Sequence, residues 1–480
     1  ARLTAYLRAG SSVVSFSELR ATNAGSFAFD VTAGKLAKQV PLVVSEIPFT
    51  GKAAAERRLD TGGDGYAGVD LAARDDQAAV AWTDKRTGVS HVYVATTSNG
   101  GKTWRAPVRV DHGKLACRAP SVTVDGSGLV AVAWADADGV HANVSTDGGV
   151  NWAPNDSKLD GTSLGGSTGA GKTCKHVRIA SSRGRLFVAW SDDRSLILGE
   201  QVFVARSLNQ GTLWLTERRV DSSLPGAAAW KVSSVNLVAM GETVSVVYVE
   251  NSQVFAASSQ YAGSFFSTPV RLDTPGSKRL GAARLAASGG VLHAAWYDDR
   301  KVAGDPTVKT RRSTDGGRTW LPEVSIPIGV KDLRFPIALT LSASGSNVVF
   351  VFTGFASKTA KKEVLLVARS TDGGMTFTAV NSAVPKLTTQ DPDAPLVAAT
   401  GKSVVVSWSE DYSGGQRANS SHDGGSTFNA ADEKIDDSKA TTGSYTGDRL
   451  VAVGGGTAYV VWGERRGVNA KAHLYVTPIR

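Results

Sequence analysis

The stretch from Ser313 to Trp320 reads STDGGRTW, and it decides the fold because the chain repeats it. Its Asp can accept hydrogen bonds from backbone N–H groups of its own turn, and its glycines allow positive φ. The closing Trp is a large apolar group that can anchor the turn on a core. Similar stretches are TSNGGKTW at 97–104, STDGGVNW at 145–152, STDGGMTF at 370–377, SHDGGSTF at 421–428 and the weaker SLNQGTLW at 207–214. Copies spaced about fifty residues apart predict a repeat architecture.

A second pattern counts the repeats. Eight short runs, such as AVAW, FVAW and VVSW, end in an aromatic residue, and their composition is typical of half-buried or buried strands. An acidic residue follows two places later in seven of the eight, and an arginine follows four places later in four. Because a catalytic residue is normally unique, we interpret these recurring charges as turn caps and local ion pairs. The eight aromatic residues are Trp82, Trp134, Trp190, Tyr248, Trp296, Phe352, Trp408 and Trp462.

A third pattern supplies the fourth strand of each repeat. Runs such as VRVD, ending at Asp111, and RRVD, ending at Asp221, follow the repeated turn. The eighth repeat has no such run before Arg480, but AERRLD at Ala55 to Asp60 nearly matches TERRVD at Thr216 to Asp221. The sequence therefore predicts an all-β, eight-bladed β-propeller of four-stranded blades over residues 54–480. An N-terminal outer strand closes its ring and leaves no free sheet edge there.

The repeated stretch resembles the Asp-box, or BNR, repeat of the sialidase-like β-propeller superfamily. The resemblance covers nearly the whole chain after about residue 54. It implies a turn between the third and fourth strands of a blade, on the side away from an active face. It also implies, for a sialidase, three arginines around a substrate carboxylate, a Tyr–Glu pair and an acidic general acid/base. The closest matches to the opening arginine motif are Arg118 in RAP and Arg334 in RFP, in blades two and six, and no clear Tyr–Glu pair is present.

Residues 1–53 lie outside the repeat and form an N-terminal extension or arm. They hold short apolar runs, SSVVSF, SFAFDV and VPLVVSEIPF, separated by Gly, Ser and Thr. Two interpretations stay open: an arm packed along the propeller, or a strand that pairs with a neighbouring molecule and gives self-association.

Net charge and hydropathy limit the classes of binding partner that the sequence predicts. The net charge of +9 fits a solvated basic surface or an affinity for acidic glycans. We expect no nucleic-acid binding, since no dense Lys/Arg block is interleaved with aromatics. No apolar run approaches the ~18 residues of a membrane span. The chain begins at Ala1 without a signal-peptide pattern, and we expect a processed mature chain.

Cys117 and Cys174 occupy matching positions before the inner strands of blades two and three. We predict a disulfide between them, with two free core thiols as the alternative. A disulfide favours an extracytoplasmic location, secreted or at the cell surface. We predict no metal and no cofactor. Two cysteines are too few for a metal site, and DADG at Asp136 to Gly139 lacks the ligand spacing of a calcium loop.

The loops that lead into the inner strands differ from blade to blade and are the predicted binding rim. Blades two to six carry cations there, and blades seven, eight and one carry acids, with aromatic rings between them. Arg can hold a carboxylate in a bidentate fork, and carboxylates can act as acid or base. The alternative is that these charges pair with the recurring acids and hold the blades together. The predicted ligand-binding residues are Arg118, Lys175, Trp230, Arg279, Arg334, Asp393, Tyr445 and Asp448.

Three hypotheses of function follow. The first is a binding protein for an anionic glycan or a surface protein. The second is a sialidase-like exo-glycoside hydrolase, and the sequence leaves open whether the protein is an enzyme. The third is a structural subunit that assembles through its N-terminal arm. A fold alone does not choose among them.

Overall fold

The computed structural model describes six short strands before residue 45 and most of the chain after residue 50. The ranges of that second part are 51–63, 65–161, 173–195, 199–221, 230–276, 283–298, 307–327, 339–355, 363–379, 392–410, 415–436, 444–466 and 471–480. The chain divides into two compact units, Ala1–Pro48 and Phe49–Arg480. Every regular element in the described residues is a β-strand. None of the described residues belongs to a helix long and apolar enough to cross a membrane.

The first unit contains three antiparallel strand pairs. Strand β1 pairs with β6, β2 with β3, and β4 with β5. The strands are β1 (Ala5–Tyr6), β2 (Arg8–Ala9), β3 (Ser12–Val13), β4 (Leu19–Ala21), β5 (Phe27–Phe29) and β6 (Val43–Val44). The boundary predicted at residue 53, and both interpretations of the N-terminal arm, stay predictions.

The second unit is an eight-bladed β-propeller, as the repeats predict. Each blade is a four-stranded antiparallel sheet. Blades one to four comprise β8 (Tyr66–Arg74), β9 (Gln77–Asp84), β10 (His91–Thr97) and β11 (Val108–Arg109); β12 (Arg118–Val124), β13 (Val130–Ala135), β14 (Val140–Ser145) and β15 (Ser157–Lys158); β16 (Cys174–Ser182), β17 (Arg185–Ser195), β18 (Gly199–Ser207) and β19 (Trp214–Arg219); β20 (Val232–Met240), β21 (Thr243–Glu250), β22 (Gln253–Ser259) and β23 (Val270–Arg271). Blades five to seven comprise β24 (Arg284–Ser288), β25 (Val291–Asp298), β26 (Thr307–Ser313) and β27 (Val324–Ser325); β28 (Leu339–Ser344), β29 (Asn347–Phe355), β30 (Glu363–Ser370) and β31 (Thr378–Ala379); β32 (Pro392–Thr400), β33 (Ser403–Glu410), β34 (Gln416–Ser421) and β35 (Glu433–Lys434).

Blade eight is assembled from both ends of the propeller sequence. It contains β36 (Ser444–Gly454), β37 (Thr457–Arg465) and β38 (His473–Ile479), and its outer strand is β7 (Arg57–Arg58). Arg58 lies opposite Tyr475, and the backbone N–H of Leu59 donates to the carbonyl of Leu474 at 2.8 Å. The predicted closure of the ring by the N-terminal segment is therefore confirmed.

The first strands of the blades form the inner wall of the ring. Each contacts the first strand of the next blade, from β8 through β12, β16, β20, β24, β28 and β32 to β36, and β36 contacts β8 again. Eight apolar clusters fill the eight junctions between neighbouring blades. The aromatic residues that end the second strands lie inside them with at most 1% of their surface exposed. Truncating such a side chain to Ala costs about 3–5 kcal/mol, so these positions hold the blades together.

The repeated stretch forms the turn between the third and fourth strands. In blade two, Asp147 accepts the backbone N–H groups of Val150 and Asn151 at 3.0 and 2.9 Å. Ser145 accepts the N–H of Gly149 at 2.9 Å, and Gly149 has a φ of 87°. The closing aromatic reaches the junction with the preceding blade, as Trp104 does with Tyr459 at 5.9 Å between ring centroids. These turns thus serve packing, on the side where each inner strand ends.

Candidate functional site

Among the described residues, six inner strands have a bulge close to the place where they begin. We call this end of the blades, where inner strands begin and second strands end, the front face. The pairing with the second strand shifts register there in blades one, two, three, four, seven and eight. In blades one, two, three and seven a residue of positive φ lies in the shift: Gly68 at 56°, Ala119 at 50°, His176 at 53° and Ala394 at 44°. Three of these four are not glycine, so the backbone is strained. Bulges re-aim side chains and are frequent beside binding sites.

Two of the predicted rim residues come together at the junction of blades three and four. The ammonium of Lys175 lies 2.6 Å from the Oε1 atom of Glu200. The backbone N–H of Glu200 donates to the carbonyl of Trp230 at 3.1 Å. Its Oε2 atom accepts the N–H of Val232 at 3.0 Å. Glu200 was not selected from the sequence, because it is the second residue of a third strand and belongs to no repeated motif.

Arg118 stands at the front face of blade two. Its side chain is exposed, and its Nη2 donates to the backbone carbonyl of Asp136 at 3.1 Å. The guanidinium therefore retains donors that face solvent. Arg279 and Arg334 lie outside the described residues. Asp393 belongs to β32, and Tyr445 and Asp448 belong to β36; the description does not extend to their side chains. The basic and acidic arcs of the rim stay a prediction.

A belt of polar side chains joins neighbouring inner strands. Each belt residue pairs with the residue just before the buried aromatic of the second strand. Asp70 accepts the hydroxyl of Ser121 at 2.7 Å and the N–H of Val122 at 2.9 Å. Similar bonds to the next blade are made by Ser121 to Ile179, Asn236 to Ala283, Arg284 to Leu339 and Thr340 to Pro395. Sequence reasoning missed this belt, although the register relative to the aromatic residues identifies it.

Arg178 is the exposed cation of this belt. Its guanidinium donates to the carbonyl of Val177 at 2.8 Å, in its own strand, and the side chain is exposed. Its charge acts on both Asp70 and Arg284. Burial raises the pKa of Asp70 and the charge of Arg178 opposes that rise; burial lowers the pKa of Arg284, and the positive charge of Arg178 adds to it. A guanidinium held on a strand and facing solvent can bind a carboxylate or sulfate.

The recurring acids of the second strands behave as predicted. Asp192 accepts the backbone N–H of Arg194 at 3.1 Å and its guanidinium at 2.6 Å. The same guanidinium bonds Glu217 at 2.8 Å and stacks on Phe203. Equivalent acid–arginine pairs are Asp84 with Arg86 and Glu464 with Arg466. These groups are caps and ion pairs of single blades.

Blade four lacks this arrangement. Tyr248 replaces the usual Trp, and a tight turn at Asn251 and Ser252 leaves no arginine. Glu250 is 1% exposed, and neither of its carboxylate oxygens has a hydrogen-bond partner among the described residues. Burial, followed by the charge of Asp221, raises its pKa to about 7, while Arg219 opposes the rise.

The predicted disulfide is absent from the structure, where both cysteines are thiols. Cys117 packs in the junction of blades one and two, with residues such as Val92 and Val122. Cys174 packs in the junction of blades two and three, with residues such as Ala135 and Val177. Matching positions in consecutive blades are therefore separated by the sheet of blade two. Burial, with the charges of nearby carboxylates, raises the pKa of the Cys117 thiol.

Comparison with known proteins gives neighbours of fold only. No protein-family model and no curated protein matches the chain. The polysaccharide lyase Uly1 is similar in structure with a TM-score of 0.46 at 11% identity, over 94% of each chain. An ulvan lyase has a TM-score of 0.44 at 12% identity, over 74% of this chain and 93% of its own. A Hadza microbial sialidase has a TM-score of 0.38 at 15% identity, over 72% of this chain and 74% of its own. These similarities are too weak to carry an argument about activity.

Proposed function

We propose that the propeller is a binding protein for an anionic glycan, held at the front face and along the adjoining inner wall. The observation that carries the proposal is the exposed guanidinium of Arg178, on an inner strand and within electrostatic reach of Arg284. Arg118 in the preceding blade offers a second exposed guanidinium at the front face. Two arginines on adjacent blades suit a chain that carries repeated carboxylates or sulfates.

Lys175 and Trp230 would complete this surface. The Lys175 ammonium is already paired with Glu200. It would therefore help to orient the ligand more than it would add unpaired positive charge. Trp230 is half-buried at the same junction and offers ring surface beside the cations. Aromatic rings and guanidinium groups together are suited to an acidic sugar. The aromatic ring can pack on the apolar face of the sugar ring, and the guanidinium can bind its charged acid group.

We infer binding rather than hydrolysis, and the burial of one candidate Tyr–Glu pair supports this inference. Tyr248 and Glu250 lie two residues apart on β21, but their exposures are 0% and 1%. The Tyr248 ring stacks on Phe255 at 5.6 Å, and burial raises the pKa of its hydroxyl. This pair cannot reach a substrate. An extracytoplasmic location is part of the same proposal, since acidic polysaccharides occur mainly outside cells.

The test compares two exposed arginines of one hairpin, Arg178 within β16 and Arg183 in the turn that follows it. Arg178→Ala should weaken binding of a uronic-acid or sulfated oligosaccharide at least tenfold, because a charge-assisted bond contributes about 1.5–3 kcal/mol. Arg183→Ala, in the exposed turn after the same inner strand, should leave the affinity unchanged. Binding is measured by calorimetry at two salt concentrations, beside a fluorogenic sialoside assay.

Three results would decide against the proposal. Equal losses in the two variants would indicate diffuse charge attraction. Sialoside turnover by the native protein would favour a glycoside hydrolase. Failure to bind any acidic glycan would leave a protein partner as the better interpretation.

A further inference from the structure

Three side chains that commonly bind metals meet at the front edge of the junction between blades one and two. His91 begins β10, Asp111 follows β11, and Cys117 precedes β12. One imidazole nitrogen, one carboxylate oxygen and the sulfur all lie within 4.8 Å of one another. The side chains are 5%, 3% and 4% exposed. Among the described residues this is the one such group of three His, Cys, Asp or Glu side chains.

The pairing of His91 with Asp111 has a structural counterpart elsewhere in the ring. The Nδ1 atom of His91 lies 2.7 Å from Oδ2 of Asp111, and Nδ1 of His473 lies 2.9 Å from Oδ2 of Asp60. Asp111 also accepts the N–H of Val92 at 2.7 Å, which fixes its carboxylate at the end of the blade. A His–Asp pair alone is therefore a feature of blade construction. The junction of blades eight and one has no cysteine, since the chain has only Cys117 and Cys174.

The junction of blades two and three lacks the histidine instead. Asp160 accepts the N–H of Val140 at 2.9 Å, as Asp111 does from Val92, and Cys174 matches Cys117. Gly139 occupies the position of His91, and a Cβ there would lie 2.2 Å from Oδ1 of Asp160. No imidazole can be placed at that point. Of these three junctions, only the one between blades one and two brings nitrogen, oxygen and sulfur ligands together.

We propose that His91, Asp111 and Cys117 bind a zinc ion. Zinc takes imidazole, thiolate and carboxylate ligands, and three protein ligands leave a fourth position for an exchangeable group. Calcium and magnesium prefer sites made of oxygen alone. The surroundings favour a cation, because the carboxylates of Asp111, Asp136 and Asp156 all act on the Cys117 sulfur.

The site forms when the three ligand atoms, now within 4.8 Å of one another, move to the spacing of a zinc site. Two ligands on a tetrahedral zinc ion lie ~3.3 Å apart at bond lengths of ~2.0–2.1 Å, so His91 and Asp111 must separate by roughly half an ångström. As the metal binds, Nδ1 of His91 loses its proton while Nε2 takes one from solvent, and the thiol of Cys117 releases its proton to solvent. Arg109, 3.1 Å from Asp111 and 35% exposed, can move toward solvent and release the carboxylate oxygen.

The experiment titrates the full chain, freed of metal by a chelator, with Zn²⁺ and Co²⁺. We expect one equivalent per chain and, with Co²⁺, the near-ultraviolet absorption of a cobalt–thiolate bond. Cys117→Ser should abolish that absorption and weaken Zn²⁺ binding at least tenfold. Cys174→Ser is the matched control and should keep both the absorption and the affinity. His473→Asn is a second control, because it disrupts the His–Asp pair that has no cysteine.

The outcomes separate a metal site from a hydrogen-bonded cluster. Zn²⁺ should raise the melting temperature of the native protein and of Cys174→Ser, since a ligand that binds only the folded state stabilises it. If Cys117→Ser fails to fold, His91→Asn carries the same expectation with the thiol intact. Equal Zn²⁺ affinity in Cys117→Ser and Cys174→Ser, or no stoichiometric binding by the native protein, would overturn the proposal.

Discussion

The indole N–H of Trp462 donates to Glu464 at 3.3 Å, and the guanidinium of Arg466 reaches the same carboxylate at 2.9 Å. Glu250 holds the equivalent position in blade four and receives neither donor from the described residues. One repeated position thus contains a buried acid with hydrogen-bond partners in blade eight and a buried acid without them in blade four. The difference comes from two sequence changes, Tyr248 for the Trp and a shorter turn without the Arg.

Glu250 should make the stability of the protein depend on pH. Its pKa in the folded state is about 7, against an ordinary value of 4.5, so the folded state binds the proton more tightly than the unfolded state. The free energy of unfolding should fall as pH rises from about 4.5 to 7, by up to about 3 kcal/mol at 1.36 kcal/mol per unit. Glu250→Gln should flatten this slope in urea unfolding at several pH values. Glu464→Gln is the control; it should lower stability and keep the slope.

Both cysteines should titrate as free thiols in denaturant and react slowly in the folded protein. Titration with a thiol reagent in denaturant, without reductant, should give two thiols per chain. In the folded protein the reaction should be slow, because both side chains are buried and the pKa of Cys117 is raised. A count of zero in denaturant would restore the disulfide and contradict the separation of the two residues by blade two.

Closure of the ring can be tested on two equivalent leucines. Leu59 follows β7, Leu159 follows β15, and their exposures are 3% and 4%. Each donates its backbone N–H to the third strand at 2.8 Å. Leu59→Ala and Leu159→Ala should therefore cost similar amounts of unfolding free energy, about 2–4 kcal/mol. A negligible cost for Leu59→Ala beside a normal cost for Leu159→Ala would mean that the N-terminal strand is not docked in solution.

The arginine of blade three should be structural. Arg194→Ala leaves Asp192 and Glu217, 0% and 7% exposed, without their shared cation. Removing one partner of a buried ion pair costs about 3–5 kcal/mol. Arg86→Ala should cost less, since that guanidinium bonds the single carboxylate of Asp84 together with the carbonyl of Thr61. Chemical denaturation of the two variants measures the difference, and an equal or reversed order would contradict this account.

The blade count and the closing strand were readable from sequence because packing repeats. Residues such as Trp82, Trp190 and Trp462 occupy equivalent buried positions in their own blades. The segment AERRLD forms the same outer strand in blade eight as TERRVD forms in blade three. Such repeated patterns predict the structural position of each copy directly from the sequence. The turn at Asn251 and Ser252 could also be seen in the sequence, although its effect on Glu250 could not.

The cysteines and the site depend on contacts across junctions, which no repeat encodes. Cys117 and Cys174 look like neighbours because their positions match, yet each faces a different junction. Cys117 instead lies close to His91 and Asp111. The distances between these three residues along the sequence do not predict that they are close in space. In the same way, nothing in the sequence distinguishes Arg178 from the other residues of β16. Its pairing with Ala189 in the structure places it in the polar belt.

Blade eight also sets the order in which the molecule can be completed. Residues 52–60 are synthesised long before residues 473–480, and β7 has no strand partner until β38 has left the ribosome. During that interval the growing chain has two unpaired sheet edges, at β7 and at the most recent blade, and unpaired edges are sites of aggregation. Addition of β38 therefore acts as a folding checkpoint, because a chain that stops before β38 leaves the outer strand β7 unpaired.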